Sequence, residues 1–225
     1  MPPGNAGEAL LALDEITRRL RVECPWDREQ DERSIVPHTV EEAYELADAA
    51  HSGDDAKMVD ELGDVLFQVY FLSLLLEERQ AGSLAEVADH CREKLIRRHP
   101  HVFGDVRAES AGEVLRNWDE IKRTEEGREP GVFADVPETL PSTLYARKLL
   151  RRAGSAGVDW PPDGARPRFE AAAARALEAG GDPFERVGEL LLAAVALARE
   201  LRVDPELSLR AAADRMRSEV ERGGE

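Results

Sequence analysis

Apolar residues recur along this chain at intervals of three or four, and no stretch alternates with the period of two that a half-buried strand needs. Leu10, Leu13, Ile16 and Leu20 form one such series and predict a helix over residues 6–22. Cys24-Pro25-Trp26-Asp27 interrupts it. A second helix is expected after Thr39, running to about His51, and Ser52-Gly53-Asp54-Asp55 then turns the chain. A long apolar helix follows to about Arg79. Ser83-x-x-Glu86 and Ser110-x-x-Glu113 have the spacing of capping boxes and start two more helices, the first stopped by Pro100 and the second ending near Gly127. Residues 127–141 contain Gly and Pro and predict a linker. Helices are then expected over residues 141–153, 168–178, 183–201 and 205–222. The fold class is all-α, of helix-bundle type, with a module over residues 1–135 and a second over residues 136–225.

Composition supports a helical protein with a real core. Of 225 residues, 42% are hydrophobic and only 5% aromatic, and Ala, Leu, Glu and Arg dominate. The longest apolar run, residues 65–76, carries Gln68 and Ser73 and is too short to cross a bilayer. The first residues, Met1-Pro2-Pro3-Gly4-Asn5, lack the basic and apolar regions of a secretory signal. Cys24 and Cys91 have no metal-ligand spacing. A cytoplasmic location is expected.

Charge changes the picture more. Asp plus Glu number 46 against 30 Lys plus Arg, a formal charge of −16, which argues against nucleic acid or an anionic membrane as partner. Residues 146–225 hold 14 acids and 14 bases, so the entire excess lies in residues 1–145, with 32 acids and 16 bases.

Within that acidic half, Glu41-Glu42-Ala43-Tyr44-Glu45 is E-E-x-x-E on the second helix and Glu61-Leu62-Gly63-Asp64 is E-x-x-D on the third. Glu45 and Glu61 are equidistant from Gly53, and so are Glu42 and Asp64. If the two helices fold back antiparallel about Gly53, the four carboxylates come level in two rungs. Such a cluster repels itself unless protonated or neutralised, and its oxygen donors suit Mg²⁺ or Mn²⁺ better than zinc. Two readings of Glu42 stand at this point, because Thr39-x-x-Glu42 also fits a capping box. A di-iron bundle would need E-x-x-H on two helices; the nearest match, Asp48-Ala49-Ala50-His51, occurs once. On the helix beginning at Leu84, Lys94 and Arg98 fall within about 20° of Val87, at the apolar stripe. They either salt-bridge neighbouring carboxylates or face an anion such as a phosphate chain.

Together these segments resemble the MazG family of nucleoside triphosphate pyrophosphohydrolases. The resemblance rests on Cys24-Pro25-Trp26-Asp27-x-Glu29-Gln30, Thr39-Val40-Glu41-Glu42-x-x-Glu45 and Asp60-Glu61-Leu62-Gly63-Asp64-Val65-Leu66-Phe67-Gln68. It continues in Lys94-Leu95-x-Arg97-Arg98-His99-Pro100-His101-Val102-Phe103, Trp118-Asp119-x-Ile121-Lys122-x-x-Glu125, Leu140-Pro141 and Gly157-Val158-Asp159-Trp160. It implies an all-α pyrophosphatase fold, a homodimer, and magnesium-dependent hydrolysis of (d)NTPs to the monophosphate and pyrophosphate. Glu42, Glu45, Glu61 and Asp64 would be the metal ligands. Glu41, supporting the ligands from behind or orienting the attacking water, and Lys94 are the candidate catalytic residues. Lys94, Arg97 and Arg98 would contact phosphates. Trp118 and Lys122, four apart on one helical face, offer a base-stacking and phosphate pair, although a core tryptophan fits the same spacing.

The second module resembles a worn copy of the first. Arg186-Val187-Gly188-Glu189 aligns with Glu61-Leu62-Gly63-Asp64, and Glu170-Ala171-Ala172-Ala173-Ala174 stands where E-E-x-x-E is expected. Ala171, Ala174 and Arg186 thus replace three carboxylates. This module is expected to hold no metal and to act as a structural or dimerising half. Two alternatives remain open: a related pyrophosphatase dedicated to one substrate, such as dUTP or phosphoribosyl-ATP, and a non-catalytic nucleotide sensor or scaffold.

Overall fold

The structure, a computed structural model, describes residues 4–124, 131–134 and 136–223. Glu125, residues 127–130 of the expected linker and residue 135, where the seam is expected, lie outside the described residues. Those described form eleven α-helices and no strand, and none of the helices is long and apolar enough to cross a membrane. The chain divides into two compact units, residues 1–97 and 98–225. The seam expected from composition and motifs therefore falls within the second unit.

In the first unit, α1 (Ala6–Glu23) is N-capped by Asn5, whose side chain accepts from the Gly7 amide. The Cys-Pro-Trp-Asp segment does more than break this helix. Pro25, preset for a first helical position, opens the short α2 (Pro25–Glu29).

Helix α3 (Glu32–Ser52) starts well before the expected position after Thr39. Asp31 caps it, accepting from the Arg33 and Ser34 amides at 2.9 Å each, while the Ser34 hydroxyl accepts from the Asp31 amide. That reciprocal cap outweighs Pro37, which lies inside the helix and removes one backbone donor. Thr39 is consequently interior, and its hydroxyl donates to the Ile35 carbonyl. The capping-box reading of Thr39 and Glu42 is thereby overturned, and Glu42 is left without a structural task at a helix start.

Gly53 ends α3 in the left-handed region, φ 71° and ψ 22°, and Asp54 caps α4 (Asp55–Glu78). Nothing lies within 4 Å of a Cβ built on Gly53, so a substitution there meets backbone strain alone. Gly53→Ala is expected to cost about 1 kcal/mol, read as a lower denaturation midpoint with an unchanged slope.

Helix α4 packs on both α3 and α1. Ile35, Phe71 and Leu75 form the core cluster, with Phe67 and Leu72 against it. Ion pairs Arg18–Glu77 and Arg21–Glu78 tie α1 to the end of α4. Arg21 also donates to the carbonyls of Asp27 and Gln30, which fastens α2 to the same corner. Its guanidinium holds the Glu78 carboxyl below the usual range. The folded value is depressed, so this stabilisation is present above the unfolded value and is lost as pH falls through the folded one. Helix α5 (Leu84–Arg98) starts at the expected Ser83–Glu86 box and closes the unit.

The second unit opens with the single turn α6 (Pro100–Phe103) and α7 (Ala111–Thr124). It continues with α8 (Ser142–Ser155), α9 (Ala165–Leu177), α10 (Pro183–Glu200) and α11 (Pro205–Gly223). Helix α10 is central, packing on α8, α9 and α11. Leu150, Ala165, Val195 and Ala196 form its core, with Trp160 packed against them.

Candidate metal centre

The antiparallel pairing of α3 and α4 about Gly53 brings Glu42, Glu45 and Glu61 together. One carboxylate oxygen from each lies within 4.8 Å of the others. Glu61 is buried, 6% exposed, whereas Glu42 is half-buried and Glu45 exposed. Asp64 stands outside this three-residue group and acts on it through its charge.

Electrostatics show how strained the group is. Burial, then the charges of Asp64, Glu45, Glu61 and Glu41, hold the Glu42 carboxyl above its usual range. Burial and then Glu45 raise Glu61, Lys57 opposes this, and Asp64 and Asp60 add to the rise. The largest carboxylate neighbour of Glu42 is thus Asp64 and that of Glu61 is Glu45, the two pairs that share a distance from Gly53. Among the described residues, none of the four makes an ion pair within 4 Å. An all-oxygen donor set, partly buried and without an ion pair within 4 Å among the described residues, fits a hard divalent cation.

Glu41 points elsewhere. Its Oε2 meets His38 Nδ1 at 3.2 Å, and the His38 ring packs edge-on against Trp26 at 5.8 Å between centroids. The Cys-Pro-Trp-Asp segment is thereby linked to Glu41 through His38. Sequence reasoning did not single out His38; its position three residues before Glu41, on the same helical face, was the available signal.

Of the candidate phosphate-contacting residues, Lys94 is half-buried and Arg97 exposed on α5 in the first unit. Arg98, Trp118 and Lys122 belong to the second unit. There the Trp118 ring carries Arg98 at 5.2 Å, Lys122 at 5.4 Å and Arg151 at 5.8 Å from its centroid. Trp118 is therefore a cation platform, half-buried.

A worn copy of the site is expected on α9 and α10, and two of its residues have structural partners there. Arg186, which aligns with Glu61, donates to the carbonyls of Arg175 and Glu178 at the end of α9. Glu189, which aligns with Asp64, pairs with Arg168.

Fold and site define an all-α protein with a carboxylate centre suited to hard cations. A family model of the MazG nucleotide pyrophosphohydrolase domain matches residues 30–103, a span that contains all four carboxylates. The chain is 39% identical over 214 residues to the nucleoside triphosphate pyrophosphohydrolase/pyrophosphatase MazG of Thermotoga maritima, covering 92% of this chain and 82% of the relative. A nucleoside triphosphate pyrophosphohydrolase of Escherichia coli K12 is 35% identical over 231 residues, covering 97% and 88%. One from Mycolicibacterium smegmatis is 35% identical over 161 residues, covering 70% of this chain and 49% of the relative. The chain belongs to the MazG family.

Proposed function

We propose that this protein hydrolyses nucleoside triphosphates to the monophosphate and pyrophosphate, with Mg²⁺ or Mn²⁺ held by Glu42, Glu45 and Glu61 and with Asp64 beside them. The carrying observation is the group of three carboxylate oxygens within 4.8 Å, none of them in an ion pair with a described residue. Folded proteins keep such uncompensated charge where it is used. The relatives' names supply the reaction, and the donor chemistry accommodates it. A bound cation would offset charge on the phosphate oxygens as the bond to the leaving group breaks.

The chain's own residues have separate tasks. Glu41, with Oε2 held by His38, supports the ligands from behind and adds to the charge that a cation would offset. Lys94 and Arg97, in the same unit as the carboxylates, hold the phosphates. Residues 1–135 carry the activity, while residues 136–225 form a structural module in which Arg186 caps a helix end instead of supporting a metal. Val36, Val40, Leu62 and Val69 stay exposed on α3 and α4, an apolar seam that a second copy of the chain would cover. A homodimer is therefore the expected assembly, and light scattering should return twice the chain mass. The −16 charge favours neither nucleic acid nor membrane as partner, and the cytoplasm is the proposed location.

Product analysis tests the reaction. With Mg²⁺, a dNTP should yield dNMP and pyrophosphate, and EDTA should stop both; dNDP with orthophosphate as products would refute the reading. His38→Ala frees Glu41 and is expected to lower kcat about tenfold with little change in KM. An unchanged kcat would remove His38 from the mechanism.

A further inference from the structure

The second unit contains a cleft of about 580 Å³ between α7, α8 and the end of α10, far in sequence from the carboxylate centre. Its described lining includes four arginines, Arg147, Arg151, Arg199 and Arg202, and two carboxylates, Asp119 and Asp204. Both carboxylates are already engaged. Arg147 pairs with Asp204. Arg151 places Nη1 at 2.7 and 2.8 Å from the two oxygens of Asp119, which also accepts from the Ser155 hydroxyl at 2.6 Å. Arg199 and Arg202 have no ion pair or side-chain hydrogen bond among the described residues. Two positive charges in the cleft are thus uncancelled, in a chain whose overall charge is −16.

These guanidiniums are placed rather than scattered. Helix α8 carries Arg147, Lys148, Arg151 and Arg152 and no acid along its length. Arg147, Arg151 and Ser155 fall at successive four-residue steps, on one face that meets α10. Gly154 makes room for Arg199: a Cβ there would stand 2.5 Å from Nη2 of that arginine. Arg202 occupies the left-handed region, φ 60°, immediately after the α10 cap. A non-glycine residue in that conformation is costly. Arginine side chains near helix ends commonly serve the last carbonyls, but among the described residues neither the Arg199 nor the Arg202 guanidinium donates to one.

We propose that this cleft is a binding site for a dianionic phosphate group, separate from the carboxylate centre and independent of any metal there. Paired guanidinium forks match phosphate oxygens in shape. The surplus of two charges matches a phosphate monoester or orthophosphate better than a single carboxylate. The cleft volume is in the range of small-molecule sites. Arg151 also lies over the Trp118 ring, so an occupant that drew on Arg151 would be felt at Trp118.

Calorimetric titration of the full chain in EDTA, with orthophosphate, pyrophosphate and a nucleoside monophosphate as three separate probes, tests this. EDTA keeps cations off the carboxylates, so a metal-bridged complex there does not contribute. Saturable binding of at least one probe to the wild type is expected. The double variant Arg199→Ala/Arg202→Ala should weaken it at least about tenfold, the loss of one or more charge-assisted hydrogen bonds. Gly154→Ala, which displaces Arg199 without removing charge, should weaken it in the same direction. The probe that binds tightest identifies the source of the phosphate. Both arginines are exposed, so thermal melts of the variants should match the wild type and show that the fold is intact. Absence of saturable binding by all three probes overturns the proposal. So does binding that survives in the double variant and is lost in Lys94→Ala, because the anion would then occupy the substrate site.

Discussion

Replacing Glu61 with glutamine is expected to lower pyrophosphate release by about a thousandfold while making the metal-free chain harder to unfold at neutral pH. Both effects have one origin. Glu61 is almost fully buried beside Glu45, with Asp64 and Asp60 near, and its carboxyl is held above the usual range. Between the ordinary carboxylate value and the raised one, the folded chain binds more protons than the unfolded chain. Stability therefore falls as pH rises through that window, and above it the penalty is complete. Glutamine keeps the shape and removes the charge, so the melting temperature of the metal-free variant should exceed that of the wild type at pH 7. The two should converge in acid, where Glu61 is protonated. Adding Mg²⁺ should raise the wild-type melting temperature and leave the variant nearly unmoved. A variant that melts lower at pH 7 would contradict this account of the centre.

The second large effect is structural. Phe71 is fully buried, 0% exposed, between Ile35 and Leu75. Its ring lies 5.8 Å from Phe67 and beneath the Arg21 guanidinium. Phe71→Ala removes the largest side chain in a small cluster and leaves a cavity under the corner where α1, α2 and α4 meet. The expected cost is about 3–5 kcal/mol. Because α4 also presents Glu61, activity should fall along with the denaturation midpoint. Phe71→Leu, which refills much of the volume, should recover most of both. A loss of activity without a loss of stability would show that Phe71 serves the site in some way other than packing.

How far the sequence reveals this protein depends on whether a feature is local. The termini of α1, α4 and α5 are legible because each has a cap within four residues of an apolar series. The start of α3 is not, because Pro37 looks like a boundary while the cap that prevails is Asp31-x-x-Ser34, in the same polar stretch. The carboxylate group is legible for a related reason: its members lie on two adjacent helices about one glycine turn, so counting from Gly53 pairs them. Counting cannot set side-chain direction, which is why Asp64 stands apart from the three-oxygen group. His38 escaped notice because its role depends on the Trp26 ring, twelve residues away across the α2 turn. The arginine cleft is least legible, since α7, α8 and the end of α10 each supply part of it and no segment resembles a motif.

The central claim is that the α3–α4 carboxylates are the seat of triphosphate hydrolysis. Initial rates of pyrophosphate release from a dNTP panel with Mg²⁺, comparing wild type, Glu42→Ala and Asp64→Ala, test it most directly. The expected result is release by the wild type that EDTA abolishes, with both variants reduced about a hundredfold or more. Equal rates in the three proteins would contradict it.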